Sequence, residues 1–175
     1  NRGIFFNYSA QAKKIADKLG WYYYFAEATR FYKLNPYGNA LLSRFPIKNA
    51  STIKIPDPEP KKYDEYYESR CLLMADIDVP GGLHVGVTHF GLNPDEQQNA
   101  VKTVMKNVFD TKFVLMGDFN VTPDNSDLKL IKDTLYDTAN MFNHTKLSFP
   151  SDSPQIKIDY IFTSHDIKVL NADIP

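Results

Sequence analysis

The sequence has little cysteine and no long apolar run, and each shortage excludes a class of protein. Cys71 is the single cysteine among 175 residues, so no disulfide can form within the chain and no zinc site can be built from thiolates. No apolar stretch approaches the about 20 residues that a transmembrane helix needs. Residues 1–6 do not have the pattern of a signal peptide and are expected to lie in the middle of a longer protein. The compartment of this soluble protein, cytoplasmic or secreted, is therefore unknown from the sequence.

An excess of positive charge is also missing. The formal net charge is −1 at pH 7, and the isoelectric point is near 6.5. A protein that grips duplex DNA without sequence preference usually carries a basic face. This charge balance argues against such a protein and leaves a small phosphate substrate open.

What the chain does contain suits one globular domain over residues 1–175. Apolar residues make up 43% and charged residues 23%, which is ordinary usage for a chain long enough to bury a real core. The 11 tyrosines and 12 phenylalanines predict a core or a groove rich in aromatic rings. Nothing in the composition indicates an obligate protein partner.

Hydrophobic spacing predicts a mixture of helices and strands. Apolar residues at helical spacing follow Asn7–Ser9 and Asn93, each of which supplies N-cap chemistry, and a short third helix begins at Ser126. The predicted strands are 21–25, 38–45, 52–55, 70–79, 83–89, 113–116, 155–163 and 167–170. Alternation predicts that 70–79 is half-buried, whereas 113–116 lacks alternation and is predicted to be buried on both faces. Hairpins beside helical crossovers indicate two packed sheets with helices outside.

The end of strand 113–116 delivers an unusual pair of polar side chains. Asp118 and Asn120 follow Gly117 and lie two residues apart, so they share one side if the strand continues. A carboxylate and an amide oxygen are hard ligands for Mg²⁺ or Mn²⁺, or a base and a donor for a phosphoryl oxygen. The alternative is an Asx turn before Pro123 without any chemical role.

Four more polar residues have a functional and a plain interpretation. His89 ends its strand in phase with apolar residues, so it is either a satisfied core histidine or a catalyst. Asp159 lies in an apolar strand, where it faces solvent or orients a histidine. Glu68 and Arg70 flank a serine, and an exposed ion pair is the default interpretation for them.

Four motifs occur in order at compatible spacing along the chain. They are Gly-Asn-Ala-Leu-Leu-Ser-Arg-Phe-Pro-Ile at 38–47, Thr-His-Phe-Gly-Leu at 88–92, Gly-Asp-Phe-Asn-Val-Thr-Pro at 117–123 and Ile-Asp-Tyr-Ile-Phe at 158–162. Together they resemble the endonuclease/exonuclease/phosphatase superfamily, and most of all its bacterial branch of metal-dependent hydrolases. The resemblance implies an α/β fold: a four-layered sandwich of two mixed β-sheets flanked by helices. It also implies hydrolysis of phosphoester bonds by water attack with Mg²⁺ or Mn²⁺.

The resemblance also implies roles for five residues. Asp118 would orient or deprotonate the attacking water, and Asn120 would hold a phosphoryl oxygen or a metal-bound group; both would be metal ligands. His89 would donate to the phosphate as negative charge develops. Glu68 matches, less closely, an acid that steadies that histidine. Asp159 would orient a second histidine near the C-terminus.

Three features of the family pattern are not matched. Family members begin with a strand carrying an asparagine and continue to a Gln-Glu pair, whose Glu is the principal metal ligand, and they end with Ser-Asp-His. We therefore expect the 175 residues to be part of a longer protein, with a partly truncated sandwich. The alternative is a catalytically inactive scaffold or binding fragment of the same fold.

The substrate is left open by the sequence. A small phosphodiester, a phosphomonoester, a lipid headgroup and a nucleic-acid phosphodiester are all compatible with the motifs. The loop at 56–67 begins with three prolines within five residues and ends with three tyrosines within five residues. It is either one wall of the substrate pocket or a solvated flap.

Overall fold

The structure is a computed structural model that describes residues 10–32, 34–142 and 146–174. The helices are α1 (Ala10–Leu19), α2 (Pro94–Met105) and α3 (Lys129–Thr134). The strands are β1 (Tyr22–Phe31), β2 (Asn35–Ser43), β3 (Ile47–Lys54), β4 (Cys71–Ile77), β5 (Leu83–His89), β6 (Phe113–Asp118), β7 (Tyr136–Asp137) and β8 (Asp159–Thr163). The predicted N-cap at Asn7–Ser9 lies outside the described residues. No helix in the described part of the chain is long and apolar enough to cross a membrane.

The strands form two sheets. β1 and β2 are an antiparallel pair, and the other six strands form one sheet in the order β3-β4-β5-β6-β8-β7. β5 and β6 run parallel, whereas the remaining neighbours in this larger sheet are antiparallel. The parallel pair needs a crossover, and α2 supplies it.

Two hydrophobic cores cover the two faces of the larger sheet. One core packs this sheet against α2 and α3 and includes fully buried Phe119 and Phe162. The other packs it against β1 and β2, and α1 packs on the small sheet. The layers are thus helix, sheet, sheet and helices. This confirms the predicted α/β sandwich, in which each buried Phe or Leu contributes about 1.5–3 kcal/mol.

β4 is buried on both faces, so the prediction of a half-buried strand is wrong. Cys71 and Leu73 face the small sheet, while Leu72 and Met74 face the helices. The polar residues that suggested an exposed face lie only at the ends of the predicted strand. Its middle is apolar at every position because a separate layer covers each face.

Two predicted strands near the C-terminal end are shorter or absent. Residues 155–158 lie outside β8; Ile156 forms an isolated bridge with Phe149 instead, and its side chain is exposed. Residues 167–170 are not in a strand, and Leu170 is largely exposed. Alternating apolar residues were not sufficient here, since a strand also needs a neighbour to complete its hydrogen bonds.

Candidate active site

Three strand ends meet at one edge of the larger sheet. β5 and β6 are parallel and in register, so their last residues, His89 and Asp118, lie side by side. The distance from His89 Nε2 to Asp118 Oδ2 is 3.5 Å. Asp159, the first residue of β8, pairs with Asp118 on its other side. The side chains of His89 and Asp118 are 29% and 32% exposed, so both are open to solvent.

Gly117 allows β5 and β6 to approach closely at this edge. Its φ is +149°, which side chains rarely tolerate. A Cβ added there would lie 1.9 Å from the carbonyl oxygen of Thr88, the neighbouring residue in β5. The glycine in the sequence motif is therefore required by backbone packing directly beside His89 and Asp118.

Asn120 lies at a turn of the chain, and both its backbone N–H and its side-chain amide are hydrogen-bonded. Its φ is +51°, a left-handed conformation in which asparagine is enriched. Its backbone N–H donates to Asp118 Oδ1 at 2.8 Å, and its Nδ2 donates to the carbonyl of Phe90 at 2.9 Å. The predicted Asx turn is therefore present, and it fixes the carboxylate and the amide next to each other.

Arg70 and Glu68 form a buried ion pair, so the interpretation of an exposed pair is wrong. Their side chains are 9% and 13% exposed, and Arg70 Nη2 lies 3.0 Å from Glu68 Oε2. The backbone N–H of Glu68 donates to Glu96 Oε1 on α2. Burial follows from position, because Arg70 immediately precedes the doubly buried strand β4.

Arg70, which was not among the candidate site residues, contacts His89 at Nδ1. Its Nη1 lies 3.1 Å from His89 Nδ1. Glu68 is bonded to the guanidinium and not to the imidazole, so it reaches His89 only through Arg70. No local sequence signal points to this contact, because the alternation of residues 70–79 puts Arg70 on the predicted exposed face of the strand.

Burial shifts the two central pKa values in opposite senses. Burial, and then the positive charge of Arg70, lower the pKa of His89 to about 4, so the imidazole is neutral near pH 7. Burial raises the pKa of Asp118, and the charge of nearby Asp159 raises it further, while the N–H of Asn120 opposes the shift. The pKa of Glu68 is also raised by burial, against the opposing effect of Arg70.

Asp159 lies at the outer rim of the site. Its side chain is exposed, whereas its neighbours Ile158 and Tyr160 are buried. The buried amine of Lys157 donates to the carbonyl of Asp159 and lies 3.7 Å from the centre of the Tyr160 ring. Of the five predicted residues, His89, Asp118 and Asn120 form the centre of the cluster. Asp159 borders the cluster, and Glu68 is connected to it only through Arg70.

The loop at 56–67 is hydrogen-bonded to α2 at both of its ends. At the first end, the side-chain amide of Asn99 donates to the carbonyl of Pro56 at 3.0 Å. The Tyr67 hydroxyl donates to Asp95 at 2.9 Å and accepts the backbone N–H groups of Lys62 and Tyr63 at 3.0 Å. Tyr66 nevertheless remains exposed. The C-terminal end of this loop is therefore anchored beside the start of β4, and the solvated-flap interpretation does not describe that end.

The oxygen atoms at this end of the sheet are of the type that binds a hard divalent cation, but there are few of them. Asp118 Oδ2 and the side-chain oxygen of Asn120 are the kind of ligand that Mg²⁺ prefers, and Mg²⁺ is commonly held by one or two carboxylates with water and substrate oxygens. Among the described residues, no group of three or more His, Cys, Asp or Glu side chains could hold a metal ion. The residues present fit part of a magnesium or manganese site.

The four layers, with an acid, an amide and an imidazole at one edge of the larger sheet, define an α/β sandwich of the endonuclease and phosphatase type. The sequence profile of the Endonuclease/Exonuclease/phosphatase family matches residues 5–175. The chain belongs to that family, whose members are hydrolytic phosphoesterases. Among curated proteins, no relative matches the sequence.

Solved structures share this fold at low sequence identity. A family protein from Bacteroides thetaiotaomicron is 19% identical with a TM-score of 0.67, over 89% of this chain and 65% of its own. The human Nocturnin catalytic domain with bound sulfate is 17% identical with a TM-score of 0.63, over 90% and 66%. ANGEL2, a 2′,3′-cyclic phosphatase, is 16% identical with a TM-score of 0.61, over 91% and 66%. The chain spans just under two thirds of the length of each.

Proposed function

We propose that the protein is a phosphoesterase that hydrolyses its substrate by water attack and depends on Mg²⁺ or Mn²⁺. The observation that carries this proposal is the 3.5 Å approach of His89 Nε2 to Asp118 Oδ2 at an accessible strand edge. At this distance Asp118, as a base, and His89, as a hydrogen-bond donor, can both act on one small chemical group of a substrate. Membership of a family of phosphoesterases supports a phosphoester as that group.

Asp118 is proposed to orient the attacking water and to accept its proton. Its Oδ1 is occupied by the N–H of Asn120, so Oδ2 is the oxygen available to water. Partial burial, which raises the pKa of Asp118, makes the carboxylate a better proton acceptor. The same burial excludes much of the bulk water that would weaken its interactions.

His89 is proposed to donate from Nε2 to a phosphoryl oxygen as negative charge develops there. A neutral imidazole can do so when its hydrogen is on Nε2, because only the ring nitrogen that carries the hydrogen is a donor. Removing one such preorganised donor from an enzyme costs about 10²–10³ in turnover. Asn120 holds the same phosphoryl oxygen in this proposal, because its amide is already fixed by Phe90.

Asp118 and Asn120 would hold the cation. When bound, Mg²⁺ or Mn²⁺ supplies positive charge that stabilises the phosphoryl oxygens. Glu68 contributes indirectly by neutralising Arg70 behind His89. Asp159 remains proposed as an orienting acid at the rim.

The substrate class is proposed in broad terms. A small phosphodiester or phosphomonoester, a lipid headgroup and a nucleic-acid phosphodiester all present the group that the site would bind. The 2′,3′-cyclic phosphatase among the structural neighbours makes a cyclic or linear ribonucleotide phosphodiester a reasonable first choice. The net charge of −1 disfavours tight binding of duplex DNA irrespective of sequence.

Hydrolysis of bis(p-nitrophenyl) phosphate by the purified protein tests the proposal. We expect activity with Mn²⁺ or Mg²⁺, loss with EDTA, and recovery on adding the metal back. Asp118→Asn and Asn120→Ala are each expected to lower turnover by about 10²–10⁴-fold while thermal unfolding stays cooperative. Asp76→Asn, at the opposite end of the same sheet, is the matched control and should retain activity. Unchanged activity in both site variants would refute the proposal.

A catalytically inactive binding fragment is the second candidate, and the small number of metal-ligating side chains in the described residues favours it. It predicts no metal-stimulated hydrolysis of any of the four substrate types. It also predicts that inorganic phosphate or a phosphodiester binds in a titration by NMR and perturbs the signals of His89 and Asn120. Metal-dependent turnover that is lost in Asp118→Asn would exclude it.

A further inference from the structure

The side chain of Arg70 lies behind His89, on the side away from Asp118. Its guanidinium approaches Nδ1 of the imidazole at 3.1 Å, while Asp118 approaches Nε2 at 3.5 Å. The two ring nitrogens therefore have different partners. This separation allows the hydrogen bonds to determine which nitrogen carries the proton.

A guanidinium has five N–H donors, no acceptor, and a charge that it keeps at every pH of interest. Nδ1 can therefore bond to Arg70 only as an acceptor, with its lone pair. A neutral imidazole that accepts at Nδ1 must carry its hydrogen on Nε2. That hydrogen lies on the side of Asp118 and of the accessible edge.

We propose that Arg70 is a positioning residue that fixes His89 in the tautomer with hydrogen on Nε2. Arg70 acts through His89 and is not itself in the centre of the cluster. Glu68 supports this arrangement because its carboxylate holds the other terminal nitrogen of Arg70 at 3.0 Å. Glu68, which the sequence predicted to steady His89 directly, thus acts on it through Arg70. The kinetic consequence rests on the proposed function, whereas the tautomer does not.

His84 provides a reference of opposite tautomer within the same strand. Its Nδ1 lies 2.7 Å from Asp76 Oδ1, and an ionised carboxylate can only accept. His84 must therefore donate from Nδ1. The structure consequently assigns the two histidines of β5 to opposite tautomers when both rings are neutral.

Long-range ¹H–¹⁵N correlation of ¹⁵N-histidine-labelled, metal-free protein at pH 8 tests the assignment. His89→Gln and His84→Gln identify the two sets of signals. We expect Nε2 of His89 to show the shift of a protonated nitrogen and Nδ1 that of an unprotonated one, with the reverse pattern at His84. A protonated Nδ1 at His89 in the wild-type protein would overturn the proposal, whatever its activity.

Substitution of Arg70 adds a second test. Arg70→Met should shift the His89 pattern toward the average of two tautomers, whereas Arg70→Lys, which still donates, should restore the wild-type pattern at least in part. His84 signals unchanged in both variants would show that the fold is kept. A His89 pattern that is identical in Arg70→Met and wild type would refute the role. If Arg70→Met does not fold, Arg70→Lys and the wild-type assignment decide the matter.

The kinetic arm separates this proposal from the proposed function. If the protein hydrolyses phosphodiesters, Arg70→Met should lower kcat by about tenfold or more with KM little changed, and Arg70→Lys should recover part of the loss. Absence of hydrolysis in the wild type would refute the proposed function alone. Full kcat in Arg70→Met would refute the positioning role in catalysis.

Discussion

Strand β5 carries a histidine near each end, and the two ends are built in contrasting ways. His84 lies beside the carboxylate of Asp76 and stacks on Phe109 with ring centroids 3.8 Å apart. His89 lies beside the guanidinium of Arg70. The side chains of the two histidines are similarly exposed, at 34% and 29%. The groups bonded to their Nδ1 atoms differ in the sign of their charge.

A groove and the cluster of acid, amide and imidazole lie at opposite ends of β5. A groove of about 410 Å³ near His84 is lined by β3, β4 and the segment after α2, including Asp76, Lys106 and Phe109. The acid, amide and imidazole cluster lies at the other end of β5. Because Asp76 is already paired with His84 and Asn49, the groove offers little free chemistry. The comparison shows that the groove near His84 is not the better candidate for catalysis.

Removing each histidine in turn is the strongest test of this contrast. His89→Gln should lower phosphodiester turnover by about 10²–10³-fold, because the Nε2 donor to the phosphoryl oxygen is lost. His84→Gln should change it less than about twofold, since its ring pairs with Asp76 and Phe109 at the far end. Steady-state assays on both variants at saturating metal provide the measurement. Equal losses in the two variants would mean that the ends are not functionally distinct.

The ion pairs at the two ends should differ in stability as well. Glu68→Ala leaves the buried charge of Arg70 without its carboxylate partner and should lower the free energy of unfolding by about 3–5 kcal/mol. Asp76→Ala breaks a pair that is 34% and 40% exposed and should cost less than about 1 kcal/mol. Urea unfolding followed by circular dichroism measures both. A cost for Asp76→Ala that equals that of Glu68→Ala would contradict the buried nature of the first pair.

The parts of the site that the sequence predicted are those that lie close together in the chain. Asp118 and Asn120 follow one buried strand, and Phe119 between them is fully buried in the core. His89 ends a strand whose alternation was clear. These features depend on local pattern alone. The roles of the five predicted residues remain predictions, because no comparison with known proteins tests them.

The parts that the sequence did not predict depend on contacts between layers. A charged residue such as Arg70 is normally exposed, and its burial becomes evident only when β4 is covered on both faces. The double burial of β4 was missed for the same reason, since the small sheet that covers one face comes from residues 22–43. The absent strand at 167–170 shows the converse, namely an apolar alternation without a neighbouring strand.

Glycines at the two ends of the strand pair should tolerate a methyl group differently. Gly117→Ala forces a Cβ to within 1.9 Å of a backbone oxygen and should cost about 2–3 kcal/mol or more through overpacking and strain. At Gly82, just before β5, φ is +75° but an added Cβ meets nothing within 4 Å, so alanine should cost about 1 kcal/mol. Thermal unfolding of both variants gives the difference. A Gly117→Ala protein as stable as wild type would show that the two strands can separate freely.

The smallest expected effect concerns pH and Asp76. A hydrogen bond from Asn49, and then the bond and charge of His84, lower the pKa of Asp76 below its usual value of 3.8. The folded protein therefore keeps this carboxylate ionised at a pH where the unfolded chain takes up a proton. The resulting stability is fully present above about pH 4 and is lost as the pH falls further.

Asp76→Asn should consequently flatten the fall in unfolding free energy below about pH 4, by less than about 1 kcal/mol because the side chain is 40% exposed. Asn49→Ala, which removes the largest cause of the shift, should flatten it in the same direction and by less. Urea unfolding between pH 3 and pH 6 compares the three proteins; these pH limits cover roughly the range in which a carboxyl group titrates. Since Asp76 lies at the His84 end, neither variant should alter turnover at neutral pH. A steeper acid dependence in Asp76→Asn would show that its carboxylate destabilises the fold.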